Sequence, residues 1–368
     1  MNITFLIGNG FDLNLGLKTR YVDFLDEYIR PVVGDSIEVA NFKEDLSNDR
    51  KGKNDWADAE FAMGQYSRRV ASLYKHNAAE IYCDLHDDFC EKLAKYLESQ
   101  ETRIDLEKCN DKFQKSFLNI LRGFTPERTT LLKSKIQNQQ GGFYNLIIFN
   151  YTRIIDNFLK KGRRINIRTY HANTRISFED SIKEVIHVHG TTSNSMVLGV
   201  NDITQIGEPK IFDGAPEEFR NTFIKEEFNK MAEESTHKKT KEILDKSHMI
   251  YIYGMSLGTT DKLWWQRIYD LLVSRPDLEI IIYCKDAPKD NLSRRKFLTF
   301  EREQKEKLLH YSVDIFTEKE IKIMERIHVT SYNIFEDLQG FANDDALEDS
   351  SVKNIVNKSY EDKAKHIG

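Results

Sequence analysis

Short, continuous apolar runs recur along the chain and are separated by long amphipathic stretches. Ile3 to Ile7, Asn145 to Phe149, Val185 to His189, His248 to Tyr253, Leu278 to Cys284 and Arg326 to Thr330 each read as a strand. These runs lack the apolar–polar alternation of a half-exposed strand, so they suit a parallel sheet covered on both faces. The spacings in the second half of the chain leave room for βαβ crossovers. The expected fold class is α/β, a doubly wound, mostly parallel sheet.

Two intervals break the rhythm. About 135 residues with helical periodicity separate the first strand from the second. Tyr21, Val22, Leu25, Tyr28 and Ile29 share a helical stripe that Thr19 could cap, and Ala79 to Glu98 and Arg103 to Phe124 read as further amphipathic helices. So long a gap without structure is rare in a compact domain, so residues 19–139 are expected to form a helical insertion. Residues 1–18 and 140–342 are expected to form the sheet domain. A second insertion, Asn201 to Lys246, is polar, and the 343–368 tail is acidic and then lysine-rich, as loosely ordered segments are.

Composition narrows the class. The chain of 368 residues carries a formal charge of −5, with 40% hydrophobic and 31% charged residues, which gives no global attraction to nucleic acid or anionic membranes. No apolar run approaches the ~20 residues needed to span a bilayer. The opening lacks a basic region and is interrupted by Asn9 and Asp12, unlike a secretion signal. The four cysteines form no CxxC pair, so neither a disulfide scaffold nor a thiolate zinc site is expected. A cytoplasmic protein without membrane contact is the expectation.

Four polar segments fall at the carboxyl ends of predicted strands, where open parallel sheets bind ligands. The first, Gly8-Asn9-Gly10-Phe11-Asp12, could bring backbone N–H groups close to a phosphate; the competing role is a tight turn. The second, Asn150-Tyr151-Thr152, places a side-chain amide beyond a strand, where it could equally cap the next helix. The third is His187-Val188-His189-Gly190, with both histidines expected on one face. His189 is the better base because the chain turns open there, and no third metal ligand is evident. The fourth, Gly254-Met255-Ser256-Leu257-Gly258-Thr259-Thr260-Asp261, would make a second phosphate or ribose cradle, or a turn in which Thr259 or Thr260 caps a helix. Two features accompany them. Asp58 and Glu60, near Trp56, read as a solvated first helical turn that could instead face the cleft. Six basic residues between Arg153 and Arg168 face only Asp156, and this stretch could attract phosphates or nucleic acid.

Taken in order, Gly8-Asn9-Gly10-Phe11-Asp12, Gly16-Leu17-Lys18-Thr19, Tyr21, Trp56, Glu60, Asn150-Tyr151-Thr152, His189-Gly190 and Tyr253 to Gly258 through Asp261 to Trp264 resemble the AbiH family of bacteriophage abortive-infection proteins. The same order is similar, more distantly, to sirtuin-like NAD-binding proteins. This second resemblance implies a Rossmann-like sheet and NAD as substrate. It assigns Asn150 and His189 to catalysis. It assigns Gly8, Asn9, Gly10, Asp12, Tyr151, Gly254, Ser256, Leu257 and Asp261 to cofactor contacts. The zinc ribbon of sirtuin deacylases has no counterpart here, because Cys284 is the only cysteine after Cys109. The implied activity is therefore hydrolysis of the nicotinamide–ribose bond without a metal. Thr152 stands where that branch usually has Asp. Two alternatives stay open: a nucleotide-binding sensor without turnover, acting with a phage-sensing partner or as a homo-oligomer, and a nucleic-acid-directed nuclease.

Overall fold

A computed structural model of the chain describes all residues except 52–57, 138–141, 171–175, 195, 226, 228–234, 289–292 and 343–368. Asp55, Trp56 and the predicted tail lie outside the described residues. Seven strands form one sheet: β1 (Asn2–Ile7), β2 (Phe143–Ile148), β3 (Arg164–Tyr170), β4 (Ile176–His187), β5 (Met249–Tyr253), β6 (Glu279–Tyr283) and β7 (Ile327–Thr330). Their order is β3-β4-β2-β1-β5-β6-β7. β3 runs antiparallel to β4, and every other pairing is parallel. With β3 set aside, the parallel strands lie in the order third, second, first, fourth, fifth, sixth. The direction of sheet growth therefore reverses between β1 and β5.

The buried strands follow the apolar runs closely. β5 is buried at every residue, and β1 at all but its first. The differences lie on the other side of the sheet. β4 ends at His187, two residues short of the predicted end, so His189 sits in the turn beyond. β3 was not foreseen, because its Arg-Ile-Asn-Ile-Arg-Thr-Tyr sequence is the alternating, charged pattern of an edge strand rather than an apolar run.

Three cores support the sheet. On one face Phe5, Ile7, Tyr251 and Ile281 meet Phe113, Phe117 and Phe335, with Phe5 and Phe117 edge-to-face at 5.0 Å. On the other, Leu6, Ile250, Ile252, Ile280 and Ile282 meet Trp264, Trp265, Ile268 and Leu272 of the helix Lys262–Ser274. The third core gathers the helices Tyr21–Tyr28, Ile37–Lys51, Ala59–Leu73 and Ala78–Glu101 around Leu198, Val200, Phe212 and Phe223. The 19–139 interval thus divides its packing. Its first four helices join the second insertion, whereas Leu106–Ser116 and Leu132 cover the sheet.

Two loops meet with no side chain between them. The Gly8 N–H donates to the Tyr253 carbonyl at 2.9 Å, and the Gly10 N–H to the Gly254 carbonyl at 2.9 Å. A β-carbon on Gly10 would lie 2.4 Å from the Gly254 Cα, and one on Gly8 2.7 Å from the Gly254 oxygen. Gly254 itself has φ +66°, a conformation that favours glycine. The glycines after β1 are therefore required by backbone packing at the reversal point, and their amides are committed to it.

Gly10→Ala is expected to destabilise the fold by about 1–3 kcal/mol, because the obstacle is backbone that cannot step aside. Denaturant unfolding measures this directly; an unchanged midpoint would show that the two loops can separate freely.

Candidate functional site

The carboxyl edge of β1, β2 and β4 carries a buried polar cluster. Asp12 lies in the short helix Gly10–Asn14 and is fully buried. Asn150 Nδ2 donates to Asp12 Oδ1 at 2.9 Å and to Thr152 Oγ1 at 3.2 Å. The Thr152 hydroxyl donates to Asp12 Oδ2 at 2.7 Å. Asn150 is not a helix cap: the helix Ile154–Leu159 begins after Arg153 and has no side-chain cap. With its NH2 group turned to Asp12, the amide directs Oδ1 away, and that buried oxygen has no partner in the protein. Asp12 thereby orients Asn150. Thr152, which departs from the sirtuin-like pattern, completes the hold on Asp12.

Asn9 is similarly occupied. Its Nδ2 donates to the Thr19 carbonyl at 2.8 Å, and its Oδ1 accepts from the Thr19 hydroxyl at 2.6 Å. Thr19 therefore ties back to the glycine turn, and the cap of the helix Tyr21–Tyr28 is Arg20.

The two histidines part company. His187 Nε2 pairs with Asp156 at 2.6 Å, so Asp156 does not join the Asn150 cluster. His189 is 5% exposed, stands edge-on to Phe149 at 5.6 Å, and bonds through Nε2 to Asp261 Oδ1 at 3.0 Å. Burial alone would push the Asp261 carboxyl up, but the Lys225 charge and the His189 hydrogen bond hold it below the usual range. As a carboxylate it accepts, so neutral His189 carries its proton on Nε2 and its lone pair on Nδ1.

Glu60 corrects a second expectation. It is 8% exposed rather than solvated, and Lys225 is 4% exposed. Lys225 Nζ bonds to Glu60 Oε2 at 2.6 Å. Glu60 Oε1 accepts from the Tyr151 hydroxyl at 2.7 Å and the Tyr21 hydroxyl at 3.3 Å. Tyr151 thus faces this ion pair. Burial and the Glu60 charge hold both phenols well above their ordinary range. Asp58 caps the helix Ala59–Leu73 by accepting from the Phe61 N–H at 3.0 Å. Sequence reasoning missed Lys225: it lies in a charged stretch of the second insertion, with no local motif around it.

Beyond β5, the Gly254–Gly258 loop is held by its carbonyls. Lys307 donates to that of Ser256 at 2.7 Å, Tyr311 to that of Leu257 at 2.9 Å, and Trp265 to that of Gly258 at 3.0 Å. Leu257 is buried at φ +52°, a strained conformation for a branched side chain. The loop borders a cleft of about 1860 Å³ at the carboxyl ends of β1, β5, β6 and β7. Gly10, Gly254, Ser256 and Leu257 line it together with Lys18, Arg128, Tyr283, Arg294 and Tyr332, whereas Asn150 and His189 lie outside it. Neither Thr259 nor Thr260 caps the helix Lys262–Ser274.

The basic stretch is partly neutralised: Arg153 pairs with Glu101, Lys161 with Glu107 and Arg164 with Glu179. Among the described residues, no group of three or more His, Cys, Asp or Glu is placed to hold a metal ion, and no helix is long and apolar enough to cross a membrane.

These features sit in a mixed α/β protein whose polar loops gather along one edge of a mostly parallel sheet. The chain belongs to the AbiH family, described as bacteriophage abortive infection, whose model matches residues 4–283. No curated protein and no solved structure was found to match it.

Burial raises the Asp12 carboxyl from 3.8 to about 7, against the lowering effect of the Thr152 and Asn150 hydrogen bonds. The folded state therefore holds this proton more tightly than the unfolded chain. The associated stability is complete below pH 3.8 and is lost as pH rises through about 7. Asp12→Asn, neutral throughout, should flatten that decline. Unfolding midpoints across this range test it; identical slopes for both proteins would show that Asp12 binds its proton no more tightly in the folded state than in the unfolded chain.

Proposed function

We propose that this AbiH protein acts in abortive infection by binding NAD along the carboxyl edge of the sheet and hydrolysing its nicotinamide–ribose bond. The observation that carries the reading is the pairing of two features on adjacent loops: the His189–Asp261 dyad and the partnerless Asn150 oxygen. The strand order supports it, being that of Rossmann-like dinucleotide-binding sheets, whose ligands lie at the reversal point. The cleft bordering that point has room and cations for the adenosine diphosphate half. The glycine turn would contribute shape rather than N–H donors, since the Gly8 and Gly10 amides are already bonded.

In the proposed reaction, Asn150 Oδ1 accepts a hydrogen bond from a ribose hydroxyl or the attacking water. Water adds to the anomeric carbon through an oxocarbenium-like state as the carbon–nitrogen bond breaks. The bonding pair leaves with the nicotinamide ring nitrogen, which becomes neutral. His189 Nδ1 takes the water proton, and ADP-ribose, nicotinamide and a proton result.

Incubation of the purified chain with NAD should release nicotinamide and ADP-ribose in equal amounts. His189→Ala should lower the rate by about 10²-fold or more, and Asn150→Ala should remove most of the activity without unfolding the protein. NAD binding without release would overturn hydrolysis in favour of a sensor module. Absence of both would remove NAD from the account.

A further inference from the structure

Tyr283, the last residue of β6, is partly exposed and lines the cleft at the carboxyl ends of β5, β6 and β7. One face of its ring lies on Tyr253, with centroids 4.6 Å apart and planes 8° from parallel. Tyr253 is 1% exposed and is held from two sides. Phe335 stands edge-on to it at 4.9 Å, and its hydroxyl donates to Asn333 Oδ1 at 2.8 Å. Asn333 in turn donates from Nδ2 to Asn14 Oδ1 at 2.7 Å. The stack is thus fixed at its buried end and terminates in the cleft. The other aromatic rings along the cleft are engaged differently. Tyr332 carries the Arg122 guanidinium at 5.3 Å, and Phe124 is edge-on to His328 at 6.1 Å. Phe297 is buried, and Phe300 packs against the core around Trp264 and Leu272.

We propose that Tyr283 is the platform on which the adenine ring of NAD stacks, continuing the Tyr253–Tyr283 pair into the cleft. A flat purine gains dispersion contact and loses apolar surface to water on such a ring, and it needs no hydrogen bond to its edge to do so. Because its inner face is already packed on Tyr253, the platform gives up little freedom when the base arrives. Gly10, Gly254 and Ser256 line the same cleft, so the platform shares one cavity with the two loops at the reversal of the sheet. Asn150 and His189 lie outside that cavity, which suits them to the nicotinamide end of the molecule rather than the adenine end. The choice of adenine rests on the NAD reading, but stacking can be measured with ADP, which has no nicotinamide bond to break.

Calorimetry with ADP on the full chain, together with the ultraviolet absorbance of its adenine, decides the matter. Wild type should bind ADP with the fall in adenine absorbance that accompanies stacking. Tyr283→Phe, which keeps the ring, should behave as wild type does. Tyr283→Leu, which removes it, should bind ADP about 10- to 100-fold more weakly and show no fall in absorbance at saturation. If Tyr283→Leu fails to fold, nuclear Overhauser contacts in the wild-type complex give the same reading. Adenine protons should then meet the Tyr283 ring protons, assigned by comparison with Tyr283→Phe. Full affinity in Tyr283→Leu, lost affinity in Tyr283→Phe, absence of the ring contacts, or no ADP binding by wild type overturns the proposal. ADP bound through Tyr283 by a wild type that releases no nicotinamide would overturn hydrolysis and leave the platform intact. NAD hydrolysed by Tyr283→Leu at an unchanged KM would overturn the platform and leave hydrolysis intact.

Discussion

The direct contact between the backbones of Gly10 and Gly254 is the constraint on which the rest of this site depends. Two loops that leave neighbouring parallel strands normally diverge, because their side chains need room. Here the Gly10 amide bonds to the Gly254 carbonyl, and a β-carbon on either residue would enter the other's backbone. The β1 loop is thereby pressed against the β5 loop. On one side this places Asp12 under the β2 loop, where it fixes Asn150. On the other it leaves the cleft at the ends of β5, β6 and β7.

A second organising element is electrostatic. Burying a Glu–Lys pair removes both ions from water, and their attraction offsets that penalty only when the remaining polar atoms are also satisfied. Tyr21 and Tyr151 satisfy Glu60, and Asp261 adds its field to Lys225. The segments of Tyr21, Glu60, Tyr151 and Lys225, far apart in sequence, therefore converge on one polar cluster. The first helical insertion is held to the sheet by this cluster as well as by its own core. Such an arrangement contributes orientation more than stability, since apolar residues could fill the same space at less electrostatic penalty.

The polar groups along the sheet edge differ between its two halves. Around β2 and β4 lie the groups suited to chemistry, a histidine held by a carboxylate and an amide oxygen left without a partner. Around β5 to β7 lie volume, aromatic rings and cations, which suit binding. The family assignment puts the protein in abortive infection.

The sheet was legible in the chain because burial on both faces writes continuous apolar runs, and five of the parallel strands lie within about two residues of those runs. β4 and β3 were not so readable: β4 continues through charged residues, and β3 is an edge strand whose alternation carries little signal. The positions of Gly8, Gly10, Asn150, His189 and Gly254 at strand ends were likewise evident from local pattern. Their roles were not. Whether a glycine serves a phosphate or another glycine, whether Asp12 meets a ligand or Asn150, and whether Glu60 is solvated or buried all depend on residues more than a hundred positions away. Lys225 is the clearest case, an ordinary lysine in a polar stretch whose significance comes from its buried pairing with Glu60. Local sequence determined which backbone elements form, because propensity and burial act along a few turns of chain. Only the tertiary structure decided which polar groups share one desolvated space, because charge and hydrogen bonding act between segments that meet only on folding.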